Sequence, residues 1–127
     1  MKEKKKETLT EIFERVGKEL ALQRPYLNEH IFYGLTNLNT GFDALSIKYF
    51  SKEDFRIVLE RVEKLGLGIL GIEPWIDGEF YDVRTASDLG CEPTDPKWYW
   101  KVFEDFAARG VELQYAASYC VPAELLN

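Results

Sequence analysis

Asp77-Gly78 stands between two stretches, residues 67–76 and 79–86, that are rich in β-branched and aromatic side chains. An Asp-Gly pair accepts positive φ at both central positions of a two-residue type I′ turn, so the spacing predicts a hairpin and fixes its register. Side chains alternate along each strand. Leu70, Ile72, Ile76, Tyr81 and Val83 therefore share one face, expected to be core, while Glu73, Trp75, Phe80, Asp82 and Arg84 share a mixed opposite face.

Helices are expected on both sides of this hairpin. Ser51 is a good N-cap, Phe55, Val58, Leu59, Val62 and Leu65 recur at helical spacing, and Gly66 supplies a left-handed stop, which predicts a helix over 52–65. Asp95-Pro96 opens another with a capping carboxylate and a proline at the first helical position; Tyr99, Val102, Phe103 and Phe106 form its stripe, and Arg109-Gly110 marks its end. A third amphipathic helix is expected over 8–23, where Thr8 and Glu11 fit a capping box, Leu9, Ile12, Phe13, Val16 and Leu20 follow, and Pro25 breaks the pattern. Residues 1–7 are expected to fray, and 26–42 show no sustained period.

Two further strands complete the pattern. Leu45, Ile47 and Tyr49 alternate with Ser46 and Lys48 and lead into the helix at Ser51; Val111, Leu113, Tyr115, Ala117, Tyr119 and Val121 alternate with Glu112, Gln114, Ala116, Ser118 and Cys120. Strand, helix, strand, strand, helix, strand is the ferredoxin-like βαββαβ order, so the sequence predicts a single α+β domain over 1–127. Its core would span 44–121: a four-stranded antiparallel sheet with two helices on one face, preceded by the N-terminal helix. The opposite face would carry Ser46, Lys48, Glu73, Trp75, Phe80, Asp82, Arg84, Glu112, Gln114 and Ser118. A partner, a second subunit or the chain's own first helix is expected there.

Charge narrows the partners. The chain holds 16 Lys plus Arg against 22 Asp plus Glu; four of those lysines but only one acid fall in the first six residues, which leaves 12 basic and 21 acidic side chains beyond them. Such a surface repels phosphate backbones and anionic lipids, so direct nucleic-acid or membrane binding is not expected, whereas a basic protein is suited to it. The lack of a long apolar run points to a cytoplasmic protein.

The chemical motifs resolve into structural ones. Gly66-Leu67-Gly68-Ile69-Leu70-Gly71 spells a dinucleotide-binding pattern, but it follows a helix and precedes a strand, the reverse of what a pyrophosphate site requires. Glu73, Asp82 and Arg84 read as a solvated cross-strand ion pair rather than acid–base machinery. His30 is the only histidine, and its spacing from Cys91 and Cys120 suggests no catalytic pair; Cys91, ahead of a helix N-terminus, is the better reactive candidate. No catalytic residue, metal site or cofactor is expected. Trp98, Tyr99 and Trp100 cannot all face the core, so an outward Trp98 or Trp100 is a candidate interface anchor.

The segment from Ala44-Leu45 into Ser51-Lys52-Glu53-Asp54-Phe55, the helix end Lys64-Leu65-Gly66, and Val111-Glu112 through Ser118-Tyr119 give residues 44–120 a resemblance to the regulator of ribonuclease activity B family. Where that family carries Asp-Gly-Trp on its last strand, this chain reads Gln114-Tyr115-Ala116. The resemblance implies a ferredoxin-like fold and a small acidic inhibitor of a nucleic-acid-processing enzyme. The expected function is a non-catalytic protein-binding or regulatory module. Its binding surface would comprise Glu73, Trp75, Phe80, Asp82, Arg84, Glu112, Gln114, Trp98 and Trp100. The alternatives are a small enzyme with a site between residues 87–93 and the outer sheet face, and a homodimer packed sheet on sheet.

Overall fold

The computed structural model describes residues 21–126. These form an α+β architecture with helices packed on an antiparallel four-stranded sheet. Helix α1 is described over 21–30. It is followed by α2 (Lys52–Leu65), β1 (Gly68–Ile76), β2 (Glu79–Phe80), β3 (Arg84–Thr85), α3 (Pro96–Ala107), β4 (Gln114–Cys120) and a 3₁₀ turn at Ala123–Leu125. Strand β1 is the hub: it pairs with β2 and β3 on one side and β4 on the other, and β4 in turn bridges Phe50.

The caps behave as their chemistry dictates. Ser51 Oγ accepts from Asp54 N at 3.2 Å, and Gly66 closes α2 at φ 70°. Asp95 Oδ1 accepts from Lys97 N at 3.0 Å, with Pro96 opening α3. Buried between helices and sheet are Phe55, Val58, Leu59 and Val62 from α2, Tyr99, Phe103 and Phe106 from α3, and Ile69, Ile72 and Tyr115 from the sheet. Phe55 stacks on Tyr115 at 5.2 Å with their planes 13° apart, and Phe103 meets both rings.

The hairpin register holds for two pairs and then slips. Asp77 and Gly78 both have positive φ (50° and 78°), and Trp75 faces Phe80 while Ile76 faces Glu79, as the turn predicts. Beyond them, Tyr81 N and Asp82 N both donate to Pro74 O, at 3.1 and 3.3 Å. Two successive donors on one carbonyl mark a classic-type bulge, which adds one residue to this strand. Ile72 consequently faces Arg84, not Val83. Arg84 is moved to the helix face, where its guanidinium lies 5.6 Å from the Phe106 ring, and Val83 is moved to the outer face. A second irregularity, between Ile69 and Gly71, turns Leu70 outward, so Leu70 also leaves the expected core face.

The strand expected over 44–50 does not form. Phe50 alone bridges β4, exchanging both main-chain hydrogen bonds with Tyr115 at 2.8 Å, and Leu45 is 76% exposed. Parity explains the failure. Phe50 is committed to the buried helix face beside Tyr115, so continuing the strand would put Lys48 and Ser46 on that same apolar side. The chain instead turns at 44–47, held by Asn39 Nδ2, which donates to Ala44 O at 2.9 Å and Ile47 O at 2.8 Å.

Pro25 does not end the first helix, because a proline removes one helical donor and leaves the apolar face intact; α1 continues to residue 30 and delivers Leu27 and the following Ile31 to the core. The part of this helix expected over 8–20 lies outside the described residues. The last strand begins at Gln114, leaving Val111 and Glu112 exposed ahead of it.

Candidate functional site: the outer sheet face

The sheet's outer face is divided between a covered half and an open half. Residues 37–49 fold over the Trp75 end. The Phe42 and Tyr49 rings each lie 5.6 Å from Trp75, and Phe80 closes it edge-on at 6.4 Å. Asn37 and Asn39 organise this cover: Asn37 Oδ1 accepts from Tyr49 N at 3.0 Å, and Asn39 Oδ1 accepts from Gly41 N at 2.9 Å. Tyr49 O–H donates to Asp43 Oδ2 at 2.5 Å. Burial, this bond and the nearby carboxylates of Asp43 and Glu73 push the Tyr49 phenol well above its ordinary range.

The open half is a trough of 310 Å³ with a floor of small residues, Gly71, Ala116 and Ser118. Ile47 forms one wall, Leu70 and Val83 the other, and Glu73 supplies the only charged side chain among the described lining residues. Leu70 and Val83 are 47% and 44% exposed. Leu70 and Thr85 are shared with a second hollow of 440 Å³ that reaches Asp88, Cys91 and Pro93, so the two adjoin.

Of the expected binding residues, Glu73, Trp75, Phe80 and Gln114 lie on this face. Trp75 and Gln114 face one another across the strands, and neither Trp75 Nε1 nor Gln114 Oε1 has a hydrogen-bond partner among the described residues. Phe80 is 54% exposed. Asp82 sits in the bulge and pairs with Arg84 at 3.5 Å, so Arg84 does not cross to Glu73. Trp98 is no anchor: it is buried at the start of α3 and meets Tyr99 edge-on. Trp100 is half-buried, and its Nε1–H donates to Glu63 Oε1 on α2 at 2.7 Å.

Among the described residues no assembly of catalytic groups accompanies the trough. Both cysteines are free thiols; the Cys91 thiol donates to Leu89 O at 3.5 Å. The His30 ring lies 4.4 Å from that of Tyr26, tilted by 39°, and 3.8 Å from Glu29, both on its own helix. Among the described residues there is no cluster of His, Cys, Asp or Glu able to hold a metal, and no helix long and apolar enough to cross a membrane. Leu70 and Val83 escaped the sequence reading because bulges invert alternation without changing composition. The Asn37-Leu38-Asn39-Thr40-Gly41 run carried a readable signal, since Asx side chains build such turns.

Comparison of the chain with protein families, with curated proteins and with solved structures returns no match.

Proposed function

We propose that the chain is a non-catalytic protein-binding module whose open outer face receives a basic segment of a partner protein. The carrying observation is the trough itself: apolar walls of Ile47, Leu70 and Val83 beyond the cover over Trp75, with Glu73 as the one charge among its described lining residues. The chain's formal net charge of −6 favours approach of a basic partner and opposes nucleic acid. The resemblance to the ribonuclease-regulator family supports a nucleic-acid-processing enzyme as the class of target, inhibited through this contact. The core shares split crossovers with a ferredoxin-like fold, since α2 links Phe50 to β1 across β4 and α3 links β3 to β4 across β1, but its lane order, Phe50–β4–β1–β3, puts the first and third strands at the edges rather than in the centre. In this core the first strand is reduced to Phe50, and the central lanes fall to β4 and β1.

A photo-cross-linking residue placed at Leu70 or Val83 in cells tests the reading. The expected result is a shared adduct with one basic protein, weakened about tenfold by Glu73→Arg, since about 1.4 kcal/mol at one interface charge is a factor of ten. Recovery of the same adduct from a probe at Lys101 on α3, or its indifference to Glu73→Arg, would overturn it.

A further inference from the structure

The two edges of this sheet are unequally protected. At the β2–β3 edge the strands are two residues long, a bulge interrupts them, and Glu79, Asp82 and Arg84 stand along them. Short strands, bulges and charges are the devices that keep an edge from pairing with other chains. Strand β4 has none of them. Its seven residues, Gln114-Tyr115-Ala116-Ala117-Ser118-Tyr119-Cys120, include no charge and no proline.

Hydrogen-bond parity shows which β4 groups are open. In an antiparallel pair, alternate residues exchange both main-chain bonds with the neighbour, and those between them point away. Tyr115 points away from β1, because its N–H and C=O are both taken by Phe50. Ala117 and Tyr119 share its direction, as does Val121, whose N–H reaches Gln23 Oε1 on α1 at 3.3 Å. The β1 side agrees: Leu70 O and Pro74 O accept from the β3 segment, leaving Gly71 and Glu73 to pair with Ser118 and Ala116. Between Phe50 at one end and Gln23 at the other, the N–H and C=O of Ala117 and Tyr119 have no protein partner among the described residues. Both residues are half-buried.

This lane is where residues 46 and 48 would lie if the pairing at Phe50 continued, and the chain's own alternation is wrong for it. A residue opposite Ala117 or Tyr119 turns its side chain to the helix layer, near Phe32, which packs 5.4 Å from Tyr119; the residue between them faces the trough. Ser46 and Lys48 would fall on the apolar side and Ile47 on the side of Glu73. The inverse pattern fits: apolar, basic, apolar. A central Lys or Arg would lay its aliphatic stem against Ile47 and Ala116 and bring its charge to Glu73.

We infer that β4 is a strand-addition site for an extended peptide segment of a basic partner, with apolar residues opposite Ala117 and Tyr119 and a Lys or Arg between them. Main-chain hydrogen bonds supply affinity in such pairing, and alternate side-chain pockets supply specificity. The inference rests on the outer-face reading and adds the edge and the sequence pattern that it selects.

Amide hydrogen exchange on the intact chain tests it without an identified partner. Ala117 and Tyr119 amides are expected to exchange rapidly while Ala116 and Ser118 are protected. The combined variant Ser46→Val, Ile47→Lys, Lys48→Val gives the chain the inverse alternation and should zip its own segment onto β4, slowing exchange at 117 and 119 by about tenfold or more. Independently of how that variant folds, the peptide acetyl-Thr-Val-Lys-Val-Thr-amide added in excess should shift and protect the same two amides of the native chain. A peptide carrying Ser-Ile-Lys in the centre should not. Amides at 117 and 119 already protected in the native chain, or unmoved by the Val-Lys-Val peptide, would overturn strand addition. Cross-linked capture of a basic partner at Leu70 and Val83 with those amides unmoved would leave the outer-face reading standing and remove this inference alone. Amides at 117 and 119 that exchange rapidly in the native chain and are protected by the Val-Lys-Val peptide, with no cross-linked partner, would remove the reading of a basic protein target and keep the edge site.

Discussion

Replacing Asn39 should loosen the cover over Trp75 more than any other single polar change in residues 37–49. Its Nδ2 donates to Ala44 O and Ile47 O at 2.9 and 2.8 Å, and its Oδ1 accepts from Gly41 N at 2.9 Å. With a net contribution of about 1 kcal/mol for each bond, Asn39→Ala should cost about 2–3 kcal/mol, the lower end if water reaches the freed carbonyls. At a urea slope of about 2 kcal/mol/M this moves the unfolding midpoint down by about 1–1.5 M. Asn39→Asp keeps the acceptor for Gly41 but sets a carboxylate against carbonyl oxygens. It should lose at least as much stability at neutral pH and recover part of it when protonated. Urea titration followed by tryptophan fluorescence reads the magnitude, and amide exchange reads the location, which should centre on residues 37–49. A loss below about 0.5 kcal/mol, or an Asp variant as stable as the native chain at neutral pH, would refute the assignment of the turn to these bonds.

Two further outcomes follow from packing and ionisation. A Cβ added at Gly68 would lie 3.0 Å from Pro93 Cβ and 3.3 Å from Cys120 Cβ, so Gly68→Ala should destabilise by about 1–3 kcal/mol in the same urea assay. Burial, reinforced by neighbouring acids, pushes the Tyr99 and Tyr115 phenols up from 10.0 to about 12. A raised folded value means that their contribution to stability is intact below about pH 10 and is lost as the pH rises toward 12. Phenolate absorbance at 295 nm from these two residues should therefore lag in the folded chain and appear with the loss of circular dichroism. Tyr115→Phe should diminish the lagging fraction.

Where local chemistry decides, the sequence was legible. Ser51 and Gly66 bound α2 because a hydroxyl and a left-handed glycine act within a few residues of their own position, and Asp77-Gly78 set its turn for the same reason. The outer-face placement of Glu73, Trp75, Phe80 and Gln114 could be read because all four lie near that turn or in uninterrupted register with it. Val83, Arg84 and Leu70 could not be placed, since one extra residue in a strand inverts every later side chain while leaving the hydrophobic pattern unchanged. Trp98 and Trp100 were unresolved because which aromatic faces inward depends on where α2 lies, and Glu63 on that helix takes the Trp100 indole N–H.

The sequence by itself determined α2 and α3, their caps, the hairpin turn and the acidic character, because each depends on propensities and spacings within about one or two turns of chain. Only the tertiary structure decided which half of the outer face residues 37–49 cover and which β4 groups lack a partner among the described residues. Phe50 is drawn to the helix face beside Tyr115, and that long-range commitment prevents the alternating residues 44–49 from pairing. Alternation specifies that one side of a strand is apolar; the neighbour it meets specifies which side that is.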